Sequence, residues 1–124
     1  MKIIRVKNYS TLSRIACGFL IEEINRKPNL VLGFATGGTP RGIYKELVNS
    51  YKKKFVDFFK VKSFNLDEYY PIKKSNKNSF YYYMYKNLFK HVNIKKKNIN
   101  FLNGETRDVK KEVLRYEENL HSLI

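Results

Sequence analysis

A chain of 124 residues, 43% of them hydrophobic, can bury one core, so disorder is not the default and residues 1–124 read as a single domain. One cysteine excludes an internal disulfide and fits a reducing cytoplasm, and no apolar run approaches the roughly 20 residues of a membrane span. The net charge of +14 raises the prospect of a polyanion partner, but the excess is carried by lysine rather than by arginine, the better bidentate phosphate binder; a solvated basic surface, with neither nucleic acid nor membrane as partner, is the expectation.

In chain order, Lys2-Ile3-Ile4-Arg5-Val6 reads as a short strand and lacks the long apolar stretch of a signal peptide. Ser10 or Thr11 caps a helix that runs to about Asn25, with Leu12, Ile15, Ala16, Phe19 and Leu20 at helical spacing. Lys27-Pro28-Asn29 ends it. Leu30-Val31-Leu32-Gly33-Phe34 is a continuous apolar run of strand length, the pattern of a strand buried in a parallel sheet. Thr36-Gly37-Gly38-Thr39-Pro40 follows, with Thr39 suited to a helix cap and Pro40 to the first helical position. The helix carries Ile43, Tyr44, Leu47, Val48 and Tyr51 on one stripe.

Val61 to Leu66 forms the next strand and runs into Asp67-Glu68-Tyr69-Tyr70-Pro71. After a polar loop, Ser79 opens an aromatic-rich helix from Phe80 to about His91, with Phe80, Tyr83, Met84, Leu88 and Phe89 as its packing residues. Ile99 to Leu102 makes a short strand, and Asp108 caps a last helix bearing Val109, Val113, Tyr116 and Leu120. Strands alternating with amphipathic helices indicate an α/β fold, a three-layer, Rossmann-like parallel sheet flanked by helices.

Two segments carry chemistry. A strand that passes through Thr36, Gly37, Gly38 and Thr39 into a helix can bind an anion. The glycines admit a ligand to the backbone, and the helix start supplies unpaired N–H groups and a positive dipole end. The plain alternative is an ordinary strand-to-helix turn, since neither a Walker pattern nor a complete dinucleotide fingerprint is present. The second segment puts Asp67 and Glu68 at the carboxyl end of a strand, the edge where parallel sheets bind ligands. A carboxylate partly desolvated by neighbouring aromatics suits proton transfer. Successive side chains diverge, so Asp67 is assigned to the cleft and Glu68 to a supporting, hydrogen-bonding place; the alternative is a pair of solvated loop acids. His91, His121 and Cys17 form no cluster with metal-ligand spacing, and Cys17 is expected to be packed.

Ala35-Thr36-Gly37-Gly38-Thr39-Pro40 resembles the sugar-phosphate turn of glucosamine-6-phosphate deaminases, and Phe64-Asn65-Leu66-Asp67-Glu68-Tyr69 is similar to their catalytic strand end. Asn78-Ser79-Phe80-Tyr81-Tyr82-Tyr83-Met84, Asn87 to Ile94, Asn98 to Gly104 and Arg115-Tyr116-Glu117-Glu118 continue the likeness in order. Tyr69 stands where related phosphogluconolactonases usually carry arginine, which favours the deaminase branch. The resemblance implies a cofactor-free and metal-free reaction in which glucosamine 6-phosphate isomerises from aldose to ketose and loses ammonia to give fructose 6-phosphate. Asp67 would be the base between C2 and C1, and Thr36, Gly37, Gly38 and Thr39, with Glu68 beside them, would hold the substrate. It further implies that a glycine-rich segment with an Asp, a ring-opening His and a Glu, and later a lysine, belong after position 124. The sheet would then be truncated, with exposed apolar edges that predict marginal stability or association between copies. A non-catalytic sugar-phosphate-binding protein is the main competing expectation; a lactonase-like hydrolase and a basic nucleic-acid-binding protein are the others.

Overall fold

The computed structural model describes residues 1–123. Helix α1 (Tyr9–Arg26) begins at Asn8, whose side chain accepts from the Thr11 N–H at 2.9 Å, so the cap lies two residues before the expected Ser10. Asparagine is among the best N-caps because its short carbonyl reaches a first-turn donor. Strand β1 (Val31–Phe34) leads through a turn to α2 (Arg41–Lys52), and β2 (Lys62–Asn65) leads through a long loop to α3 (Phe80–Asn87). Two 3-10 turns, Phe89–His91 and Lys96–Asn98, precede β3 (Ile99–Asn100), and α4 (Val109–His121) follows. Ser79 and Asp108 cap α3 and α4 as expected, accepting from the N–H groups of Tyr82 and Lys111.

The sheet is parallel throughout, in the order β1-β2-β3. Gly33 pairs with Phe64 and Phe34 with Asn65, which sets the carboxyl ends of β1 and β2 level. Paired residues share a face, so Phe34 meets Tyr44 of α2 and Phe89 on one side, while Phe64 meets Tyr116 of α4 on the other. The layers are therefore three, with α1, α2 and α3 grouped on one face and α4 alone on the opposite one. Leu47, Phe58, Val61, Met84 and Leu88 form the driest part of the core.

Three expectations are corrected. Residues 2–6 form no strand; Ile3 and Ile4 are exposed, and Ile4 and Val6 line a shallow apolar depression with Leu12, Ile15 and Phe19. A segment whose isoleucines are flanked by Lys2, Arg5 and Lys7 has only that helix flank to lie on. The α1 stripe read from the sequence is the outer one. Leu12, Ile15 and Phe19 are exposed, whereas Ser13, Cys17 and Ile24 face α2 and are buried. Both stripes have helical spacing, and Ser13 with Gly42 decides between them. A Cβ on Gly42 would stand 2.2 Å from Ser13 Oγ, so the two helices approach more closely there than larger residues allow. On α4, Val109 and Val113 are exposed, and Glu112 and Tyr116 take the buried positions. Cys17 is buried, as expected, and burial raises its thiol pKa. Among the described residues no helix is long and apolar enough to cross a membrane.

Candidate functional site

The turn after β1 opens at the sheet's carboxyl edge. Gly37 has φ of 102°, a left-handed geometry that a side chain would strain, and a Cβ on Gly38 would meet nothing within 4 Å. Pro40, not Thr39, occupies the cap position of α2, and no side chain caps that helix. The Gly42 N–H instead donates to the Tyr9 hydroxyl at 2.7 Å, which leaves both threonine side chains unengaged.

The turn's carbonyls are held by three tyrosines that sequence reasoning did not assign to the site. Tyr44 Oη donates to Ala35 O, Tyr83 Oη to Gly37 O at 2.5 Å, and Tyr9 Oη lies 2.9 Å from both Gly38 O and Thr39 O. No N–H of residues 36–39 donates to another group among the described residues. The carbonyls are thus engaged while the N–H groups have no partner among the described residues, and free N–H groups at a helix start are what anion binding there uses. Burial raises the pKa of Tyr44 and Tyr83, the latter moderated by Arg41, so both phenols remain protonated donors at neutral pH. Nothing in the spacing of Tyr9 or Tyr83 announces these bonds, because each bridges about 30 residues or more.

Asp67 lies two residues beyond the last paired residue of β2. It is exposed, as are Leu66, Tyr69 and Tyr70, so the aromatic desolvation expected around it is absent among the described residues. Glu68 is engaged: Oε1 accepts from the N–H groups of Phe80 and Tyr69, each at 2.9 Å, and Oε2 from Tyr81 at 3.0 Å. With Ser79 it satisfies three first-turn donors of α3, where a carboxylate also favours the helix dipole. Because α3 carries Tyr83, the strand end and the turn are tied to one helix. Asn65 is buried between them; its amide donates to Phe34 O at 2.9 Å, and its Oδ1 has no partner.

Among the described residues no three His, Cys, Asp or Glu side chains gather as metal ligands. His91 lies just past the end of α3, its Nε2 2.9 Å from Lys86 O. The geometry as a whole defines an α/β protein with a glycine turn and an exposed carboxylate on one sheet edge.

Comparison with known proteins narrows that class. Residues 10–124 match the model of the glucosamine-6-phosphate isomerase/6-phosphogluconolactonase family. Glucosamine-6-phosphate deaminases of Clostridium novyi and Clostridium acetobutylicum are each 48% identical, over 97% and 98% of this chain. A solved monomeric glucosamine-6-phosphate deaminase superposes with a TM-score of 0.95 at 36% identity over 99% of this chain. A 6-phosphogluconolactonase of Thermotoga maritima shares the fold, with a TM-score of 0.77 at 15% identity. The chain belongs to the glucosamine-6-phosphate isomerase/6-phosphogluconolactonase family. It spans about half the length of these relatives, 50% and 51% of the two clostridial proteins.

Proposed function

We propose that residues 1–124 form one α/β unit, the N-terminal part of a cytoplasmic glucosamine-6-phosphate deaminase, and supply its phosphate cradle and enolising base. The observation that carries this reading is the turn of residues 36–39. Its carbonyls are fastened to Tyr83 and Tyr9, that of the preceding Ala35 to Tyr44, and its N–H groups are left free, on the strand edge that also bears Asp67.

The chemistry follows from those parts. The substrate phosphate docks on the N–H groups of Thr36, Gly37, Gly38 and Thr39 at the start of α2, with the two threonine hydroxyls as further donors. Fixing that dianion orients the sugar across the edge toward Asp67. The Asp67 carboxylate takes the proton from C2 of the opened aldose and returns it at C1, converting aldose to ketose. The C2 amine leaves as ammonia and water supplies the carbonyl oxygen, so glucosamine 6-phosphate and water become fructose 6-phosphate and ammonia. Glu68 acts as a positioning residue, holding the strand end to α3. Ring opening is assigned to the acid–base residues that the family carries in its other half.

The test is a fusion of residues 1–124 to the second half of the Clostridium novyi relative, assayed for ammonia release. With Asp67→Asn, kcat is expected to fall by about a hundredfold or more while KM stays within a few fold, the usual weight of a general base. Undiminished turnover in that variant overturns the role of Asp67. A second reading, sugar-phosphate binding without catalysis, draws on the exposure of Asp67. It predicts saturable glucosamine 6-phosphate binding by the fusion and no ammonia.

A further inference from the structure

An open cavity of about 690 Å³ lies between α2 and the end of α3, with Tyr9 and Gly38 also on its wall. Helix α2 contributes Arg41, Lys45, Asn49 and Lys52, and Lys86 and His91 approach from the other side. The α2 residues fall at intervals of four, four and three, one continuous helical stripe. Among the described residues no carboxylate lines the cavity. The acid of α2, Glu46, instead lies close enough to Cys17 of α1 to act on its thiol. The ion pairs among the described residues are Arg26–Glu23 and Arg115–Glu112, so none of the four cations of this groove is neutralised by the protein.

That arrangement is costly for the chain by itself. Arg41 and Lys45 are like charges one turn apart, which destabilises a helix. Arg41 is also the first residue of α2, where the positive end of the dipole disfavours a cation. An anion in the groove relieves the repulsion along this stripe. The volume is that of a small-molecule site, and Lys86 of α3 adds a cation from outside the α2 stripe.

We propose that this groove binds a small molecule carrying two phosphate groups, such as a diphosphate, at a second anion site beside the turn of residues 36–39, whose Gly38 shares its wall. Lys45 and Lys86 contribute the facing charges, Lys52 the far end, and Asn49 an amide for the bridging or ester oxygens. The proposal does not rest on the deaminase reading, since Lys45, Asn49, Lys52 and Lys86 have no part in it.

Titration calorimetry of the 124-residue chain with inorganic pyrophosphate tests it, with glucosamine 6-phosphate and a single-stranded oligonucleotide as comparison ligands. Pyrophosphate is expected to bind saturably at one site. Lys45→Gln combined with Lys86→Gln is expected to weaken it about tenfold or more, with glucosamine 6-phosphate affinity and circular dichroism unchanged. The exposed pair Lys77→Gln and Lys97→Gln is expected to change it less than twofold. Equal losses from the two pairs would mean bulk charge alone and overturn the proposal. So would absence of saturable binding, or tighter binding of the oligonucleotide than of pyrophosphate. Should the groove variant fold poorly, amide shifts of the unaltered chain decide the matter. Pyrophosphate is expected to move Lys45, Asn49 and Lys86, and shifts confined to residues 36–39 would sink the second site.

Discussion

Tyr83 shows how much a single hydroxyl can settle in this protein. Its ring lies under Arg41, with 5.8 Å between the guanidinium carbon and the ring centroid, and its O–H holds the Gly37 carbonyl. Phenylalanine at that position keeps the packing and frees the carbonyl, which can then rotate toward the bound phosphate. Tyr83→Phe is therefore expected to weaken glucosamine 6-phosphate binding about fivefold to tenfold, the worth of one hydrogen bond, with little change in global stability. Titration calorimetry on the folded variant gives the answer, and unaltered affinity would remove Tyr83 from the site. Gly37 is the complementary case, because its φ of 102° is open to glycine and strained for alanine. Gly37→Ala is expected to cost about 1–2 kcal/mol in urea denaturation, through backbone strain alone. Gly37, Gly38 and Asp67 were named from the sequence because glycines and carboxylates at strand ends can serve a ligand, a pattern that ordinary turns and solvated loop acids share. The tyrosines were not legible, because a hydroxyl that bonds a backbone carbonyl 46 residues away leaves no local pattern.

At the scale of elements, the caps of α3 and α4 and the alternation of strand and helix after residue 30 were legible, while the caps of α1 and α2 and the choice of buried face were not. Ser79 and Asp108 cap the helices they were expected to cap because Ser and Asp three residues before a first-turn N–H have one dominant geometry. Helix α1 carries two apolar stripes, and only the contact with Gly42 of α2, invisible in the sequence of α1, selects the one that is buried. On α4 the expected Tyr116 is buried but Val109 and Val113 are not, for a related reason. Its anchoring is polar: Tyr116 Oη donates to Asn65 O at 2.6 Å and accepts from Asn65 N–H at 3.0 Å, and Glu112 accepts from Asn103 N–H at 2.7 Å. Arg115 Nε donates to Glu112 at 2.8 Å, and this bond is the largest reason that the Glu112 carboxyl pKa is lowered. A carboxylate whose folded pKa lies below its unfolded value stabilises the fold above the unfolded pKa, near 4.3, and loses that contribution as pH falls through the folded one. Chemical denaturation is thus expected to show a loss of stability below about pH 4.5 that is shallower in Glu112→Gln. Parallel pH profiles for the two proteins would dismiss the linkage.

The molecule as a whole sets a strong charge against unpartnered surfaces. Strand β1 pairs on one side only, with β2, and Gly33 at its centre is exposed. Beside it Gly33, Phe34, Phe64, Leu66, Tyr116 and Leu120 line an apolar cavity of about 490 Å³, and Leu66 is 87% exposed. The outer face of α1 adds Leu12, Ile15 and Phe19. An open strand edge flanked by apolar surface favours association, while a net charge of +14 opposes it between like copies. Salt weakens only the second of these, since screening shortens the reach of charge and leaves apolar burial intact or strengthened. The 124-residue chain is accordingly expected to be monomeric at low ionic strength and to self-associate as salt rises to about 0.5 M, where the Debye length is only a few ångström. Static light scattering across that range measures it. Association driven by complementary charge would have the opposite salt dependence, and its observation would refute the argument. Joining the second half of a clostridial relative is expected to abolish the effect, because the exposed edge and its flanking faces then have a fixed occupant. If the joined chain associates as strongly as residues 1–124 alone, the sticky surface lies elsewhere than the β1 edge.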